Sequence, residues 1–417
     1  MSDSRHIEIM SPVGSFETLM AAIQGGASSV YFGVGNLNMR SKSTYNFTHL
    51  DLQKIVSICN ENNIKSYLTV NTVIYDFEIG QMQELIDNAK QAGVTAVIAS
   101  DMAVVEYAHS VGIEVHASTQ LNISNYQAVK FFSTYCQVMV LARELTLQQT
   151  AEICRLVKKN DLKGPNGDNV LIELFVHGAL CMSISGKCYL SLHENNHSAN
   201  RGSCFQNCRR SYEVTEKDSG YKLVIDNEYI MSPKDLCTIH FLDKILDAGI
   251  SVLKIEGRAR APEYVKTTTS CYHEAVEAWK TKKNSKEKIT DWIERLKTVY
   301  NRGFWEGYYM GDKLGQWSGN YGSIATKRKV YIGKVTNFFK NIQVAEIVIE
   351  TGDFSINDDL LIIGPSTGVL ECKINEIRCN NSSINKVQKG DICSISTSTL
   401  VRRNDKVYKW VDDITQQ

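Results

Sequence analysis

Cys181, Cys188, Cys204 and Cys208 fall within one polar stretch, GALCMSISGKCYLSLHENNHSANRGSCFQNCRRSYEV, with six, fifteen and three residues between successive members. Thiols gathered this densely point to a metal site. Ligand type does not choose the occupant, because four thiolates hold either zinc or an iron–sulfur cluster. Structural zinc sites favour pairs two to four residues apart, which the last pair matches and the first does not. The spacing therefore leans towards iron–sulfur and leaves zinc open.

Other residues compete for the same chemistry. Cys237 follows the cluster closely in SPKDLCTIHFL, but that segment reads as a helix, with Ser232 as N-cap and Pro233 at its first position, and Cys237 reads as a bystander. Cys59, Cys136, Cys154 and Cys271 sit in apolar segments as core fillers, and Cys372, Cys379 and Cys393 fall at strand positions near the C-terminus. His193, Glu194 and His197 complete an H-E-x-x-H string, which binds zinc when carried on a helix. Asn195, Asn196, Asn200 and Gly202 are poor helix formers, so the match reads as chance.

These residues need a scaffold. Short Val/Ile-rich runs (IEIM at 7–10, SVYFG at 29–33, SYLTVNT at 66–72, TAVIAS at 95–100, EVHAS at 114–118, VMVLA at 138–142, IELFVHG at 172–178 and SVLKIEGR at 251–258) alternate with helical periodicity. Eight buried-type strands with intervening helices predict a closed (β/α)₈ barrel over residues 1–285, in preference to an open doubly wound sheet. A Cys-rich insert, 178–229, interrupts the alternation after the seventh strand, where it would hang over the C-terminal mouth. A helix at 289–301 and an aromatic, glycine-rich connector (286–329) follow. Alternating runs over 330–417 predict a small antiparallel β-barrel.

Barrel enzymes place their chemistry at the carboxyl ends of the strands. Here those ends carry Ser11, Asn71, Asp101, Ser118, Thr119, Gln120, Arg143, Glu144, His177 and the alternating trio Lys254, Glu256, Arg258. The trio could clamp a carboxylate-bearing ligand or form an internal salt-bridge network. His177 reads as a packing residue sooner than a proton donor. There is no G-x-S-x-G elbow and no P-loop.

Lys plus Arg and Asp plus Glu number 46 each, so the net charge is zero and announces no nucleic-acid binder; a local basic patch remains open. No signal-peptide pattern and no membrane-length apolar run is read, so a cytoplasmic location with reduced thiols is expected.

ELFVHGALCMSISGKCYLS, ANRGSCFQNCRRSYEV and SPKDLC…AGISVLKIEGRARAPEYV, with SPVGSFETLMAAIQGGASSVYFG, VNTVI, ASDMAVVEYA and HASTQLNISN, resemble the collagenase-like peptidase family U32 over about residues 6–320. The family label implies proteolysis, yet no residue above supplies a proteolytic nucleophile. By length and domain plan the chain is similar to the tRNA-hydroxylating branch. That resemblance implies a [4Fe-4S] cluster on Cys181, Cys188, Cys204 and Cys208, prephenate as hydroxyl donor, tRNA as partner, and 5-hydroxyuridine at the wobble position as product. Lys254, Glu256 and Arg258 would hold the donor's carboxylates, and Lys327, Arg328 and Lys329 would hold RNA backbone. The alternatives are a peptidase, a hydroxylase of another RNA such as ribosomal RNA, and a non-catalytic binding module stapled by the cluster. The identity of any electron-donating partner is left open.

Overall fold

The computed structural model describes residues 5–42, 46–213, 215, 217–220, 231–311, 315–320, 322–380 and 382–413. Positions 214, 216 and 221–229 of the expected insert lie outside the described residues.

The first half alternates as predicted: β1 (Glu8–Pro12), α1 (Phe16–Gln24), β2 (Ser29–Phe32), α2 (His49–Glu61), β3 (Lys65–Val70), α3 (Ile79–Ala92), β4 (Ala96–Ala99), α4 (Met102–Ser110), β5 (Glu114–Ala117), α5 (Tyr126–Phe132), β6 (Val138–Val140), α6 (Leu147–Lys159) and β7 (Leu171–Ala179). Helix starts are set locally. Ser15 and Thr146 close capping boxes with Thr18 and Gln149, and α3 stops at Gly93 in the left-handed region. Then come α7 (Leu190–Asn195), β8 (Asp235–Cys237), α8 (Leu242–Asp247), β9 (Val252–Ile255) and α9 (Pro262–Lys280).

Strands β1 to β7 pair in order, all parallel, and β9 pairs with both β7 and β1. That closes an eight-stranded barrel. Period-two alternation splits each strand between two cores. Val30, Leu68 and Val97 face the helices, whereas Tyr31, Tyr67 and Ile98 fill the barrel interior with Met10, Val138 and Val252.

One expectation is overturned. The helix expected from Ser232 is instead the strand β8, followed by a single helical turn at 239–241 and the six-residue α8. β7 is nine residues long, and its last residues bring their backbone groups to an open edge. β8 satisfies them in antiparallel register, His177 opposite Cys237 and Ala179 opposite Asp235. Long-range hydrogen bonding there outweighs local helix propensity.

α10 (Lys286–Thr298) packs on α9 and starts three residues before the expected helix, because Ser285 caps it by accepting from the Lys288 N–H. β10 (Phe304–Trp305) extends the barrel sheet beside β8. The C-terminal strands are β11 (Lys327–Phe339), β12 (Val344–Ile349), β13 (Asp353–Ser355), β14 (Asp359–Gly364), β15 (Gly368–Lys373), β16 (Ile377–Cys379), β17 (Ser382–Ile384), β18 (Lys386–Gln388), β19 (Ile392–Ser396) and β20 (Lys406–Asp412). Eight of them form one antiparallel sheet, with β13 and β18 as a separate pair, around a core that includes Ile347, Phe354, Ile362 and Val407. The β14–β15 side joins the barrel core through Leu361, Ile363 and Val369, against α1 and α9.

Candidate active site

The carboxyl ends of the barrel strands and the Cys-rich insert enclose a cavity of about 840 Å³. Cys181, Cys188, Cys204 and Cys208 all line it, and so do Lys254, Glu256 and Arg258. Residues separated by the whole insert thus meet in one chamber.

Two of the four thiols respond to the others. Burial pushes the Cys188 thiol up, and Cys181 and Cys204 add to the rise. Burial takes Cys208 up to about 11; the Arg209 guanidinium opposes this, and the other three cysteines reinforce it. Among the described residues no three His, Cys, Asp or Glu side chains are grouped so as to hold a single metal ion. A four-iron cluster is larger than one ion, and four thiols lining one chamber match it in donor kind and number.

The trio at the end of β9 and just beyond it faces the cavity, but its members are engaged differently. Lys254 Nζ donates to the buried Glu173 Oε1 at 2.8 Å and stands 4.8 Å from the Tyr31 ring centroid. Glu256 Oε1 accepts from Arg40 Nη2 at 2.7 Å, and Glu256 Oε2 accepts from the Tyr31 hydroxyl at 3.3 Å. Burial would raise Glu256, yet Arg40, helped by Arg258 and Arg143, holds the carboxyl below its ordinary value. Arg258 Nη1 donates only to neutral acceptors, Thr69 Oγ1 at 2.9 Å and Asn38 Oδ1 at 3.1 Å. Burial, with Arg40 adding, brings Arg258 down to about 10 despite Tyr31 and Glu256, so it stays cationic at neutral pH.

Asn71, Ser118, Thr119, Gln120 and Arg143 also line the cavity. Arg143 Nη2 donates to Ser185 Oγ at 2.7 Å, which ties the end of β6 to the insert, while its buried Nε has no partner. Sequence reasoning missed Arg40 and Asn38, whose signal was the polar run NLNMRSKS at 36–43, three residues beyond β2. It also missed Arg209, which donates to the carbonyls of Leu180 and Pro233, each at 2.6 Å, and so pins the turn carrying Cys208 to the end of β7.

Other candidates stand elsewhere. Cys237 is buried on β8 outside the cavity. His177 is buried among the rings of Tyr264, Tyr272 and Phe304, and burial lowers its pKa to about 3, so it is a packing residue and no proton donor at neutral pH. Ser11 pairs with Thr269, Asp101 caps α4, and Glu144 lies outside the main cavity. α7 ends at Asn195, with Asn196 left-handed, so His197 falls off the helix that a zinc-binding H-E-x-x-H needs. Among the described residues no serine or cysteine at the cavity is hydrogen-bonded to a histidine. The basic run is not free either: Lys327, Arg328 and Lys329 pair with Asp359, Asp413 and Glu263.

Residues 14–319 match the sequence pattern described as peptidase family U32. The chain belongs to that family. Among its U32 relatives, a collagenase of Porphyromonas gingivalis (strain W83) is 54% identical over 403 residues, covering 97% of each chain. tRNA hydroxylation protein P1 of Bacillus subtilis is 30% identical over 366 residues, 86% of this chain and 83% of that one. The 23S rRNA 5-hydroxycytidine C2501 synthase of Escherichia coli is 35% identical over 277 residues, 66% of this chain and 40% of that one. The relatives of this chain thus include proteins named for proteolysis and proteins named for RNA hydroxylation. Among the described residues no helix is long and apolar enough to cross a membrane.

Proposed function

We propose that the chain is an iron–sulfur RNA hydroxylase that forms 5-hydroxyuridine at the tRNA wobble position with prephenate as hydroxyl donor. One observation carries the reading: four cysteines and a set of buried cations line the same barrel-mouth cavity. When bound by Cys181, Cys188, Cys204 and Cys208, a [4Fe-4S] cluster supplies a redox-active metal centre in that chamber. The cations divide the remaining work. Arg258, bonded to neutral acceptors, and Arg143, with a free buried N–H, have charge and donors left for a dicarboxylate. Lys254 and Glu256 are occupied by Glu173 and Arg40, so they position Tyr31 and Arg40 around the donor and do not themselves clamp it. The B. subtilis and E. coli relatives, named for tRNA and rRNA hydroxylation, support an RNA substrate.

A second reading, a peptidase, is favoured by the 54% identity to a relative named collagenase. Anaerobic purification with iron and sulfide analysis separates the two, followed by nucleoside analysis of tRNA from a deletion strain. The proposal expects about four irons per chain. It also expects loss of 5-hydroxyuridine that wild type restores and Cys181→Ser does not. A colourless protein carrying one zinc and cleaving collagen peptides, with tRNA unchanged in the deletion strain, would overturn it.

A further inference from the structure

The cations of the C-terminal sheet are unevenly used. Those at the start of β11 are paired with carboxylates. Those at its far end are not. Lys340, in the β11–β12 turn, and Arg402, Arg403 and Lys406, between β19 and the start of β20, are exposed, and none forms an ion pair with a described residue.

Strand register brings these segments together. Val344 pairs with Ser396, and the Thr397 N–H donates to the Gln343 carbonyl at 2.9 Å. On the other side Lys334 pairs with Lys406, and the Asn404 N–H donates to the Val335 carbonyl at 2.8 Å. The connection between β19 and β20 therefore crosses the end of the β11–β12 hairpin. Neither 337–343 nor 397–404 contains an Asp or Glu. The nearest acid in sequence, Asp405, is buried and accepts from Thr367 Oγ1 and the Arg402 N–H. Among these cations stand Phe339 at 42% exposure, Ile342 at 68% and Leu400 at 46%. Phe338 turns inward to the core, so alternation sends Phe339 outward.

We infer that this end of the C-terminal sheet is a second RNA-binding surface, with Lys340, Arg402, Arg403 and Lys406 on phosphates and Phe339 stacking on an unpaired base. Uncompensated positive charge beside an exposed aromatic ring is the pairing that single-stranded and looped RNA recognises. The inference rests on the RNA-hydroxylase reading for its choice of polyanion. Its span supports a large ligand. Lys329 is tied to Glu263 in the first turn of α9, just beyond the carboxyl end of β9. Phe339 lies farther along the same strand by roughly 33 Å of extended chain. A ligand that touches both the patch and the barrel mouth is macromolecular in size and not a nucleotide, as a folded RNA is.

The test is equilibrium binding of unmodified tRNA to the full chain at several salt concentrations. The double variant Arg402→Glu, Arg403→Glu is expected to weaken binding about tenfold and to lower the salt-dependence slope by about two. Phe339→Ala is expected to weaken binding with the slope unchanged. Lys282→Glu with Lys283→Glu, at the exposed end of α9, controls for net charge and is expected to change affinity less than twofold. Wild-type affinity and slope in the Arg402/Arg403 variant would overturn the inference. So would loss of binding to vesicles of phosphatidylglycerol and phosphatidylcholine with tRNA affinity retained, which would make the patch a lipid-facing surface. The binding readout is independent of chemistry. A chain that binds tRNA through the patch but leaves cellular 5-hydroxyuridine unchanged keeps this surface and loses the proposed reaction. A hydroxylating chain with a dispensable patch does the reverse.

Discussion

Lys254 and Glu173 show how a charged pair can be structural inside a catalytic barrel. Both are buried, and Glu173 Oε2 has no partner of its own. Removing one member strands the other charge, a cost of about 3–5 kcal/mol, whereas replacing both with apolar groups of similar volume is close to neutral. Glu173→Gln is therefore expected to lower the urea midpoint sharply, and Glu173→Leu with Lys254→Met to recover most of it. Recovery of folding without recovery of activity would separate the scaffold role of the pair from its place in the cavity. His177 makes a prediction in pH. Its folded pKa of about 3 lies below its ordinary 6.5. The unfolded chain therefore takes up a proton first as the pH falls, and the stability that neutral His177 contributes is complete above 6.5 and declines below it. Between pH 6.5 and 4.5 this single group should remove up to about 1.4 kcal/mol per pH unit. His177→Phe is expected to flatten that limb of the stability curve; an unchanged slope would place the titration elsewhere.

At the scale of elements, the insert is held against the loops of the barrel mouth. Arg201 forms a two-pronged pair with Glu78 at 2.5 and 2.6 Å and covers the Tyr75 ring at 4.1 Å. Next to it, Gly202 has φ +80°, and a Cβ there would meet Asn38 O at 2.6 Å and the Ser41 hydroxyl. Gly202 thus permits the segment carrying Cys204 and Cys208 to lie flat on the loop that supplies Asn38 and Arg40. Gly202→Ala adds both backbone strain and a collision. The expected outcome is lower iron and sulfide per chain after anaerobic purification, with the barrel's far-ultraviolet circular dichroism unchanged. Wild-type iron content would show that the four thiols find their positions without this contact.

For the whole molecule, Gln24 and Lys266 of the barrel are among the polar points that fasten the C-terminal sheet. Gln24 Nε2 donates to the Thr367 carbonyl at 2.8 Å, and Gln24 Oε1 accepts from the Val369 N–H at 2.9 Å. Gln24→Ala leaves both backbone groups without that partner, at about 1–3 kcal/mol. Faster hydrogen exchange at β14 and β15, with barrel amides unaffected, is the expected signature. How much of this architecture was legible beforehand depends on where the information resides. The eight-strand count, most helix positions and the gathering of Cys181, Cys188, Cys204 and Cys208 in one segment could be read from the sequence, because period-two and period-3.6 patterns, caps and motif spacing are local. β8, the partners of Lys254 and Glu256 and the neutralisation of Lys327, Arg328 and Lys329 could not. Lys254 meets Glu173 across 81 residues, and Glu256 meets Arg40 across 216. Local pattern shows which residue types face a barrel mouth. Only closure of the barrel brings distant chain segments within a few ångströms, and that proximity decides which charges are paired and which are left to bind.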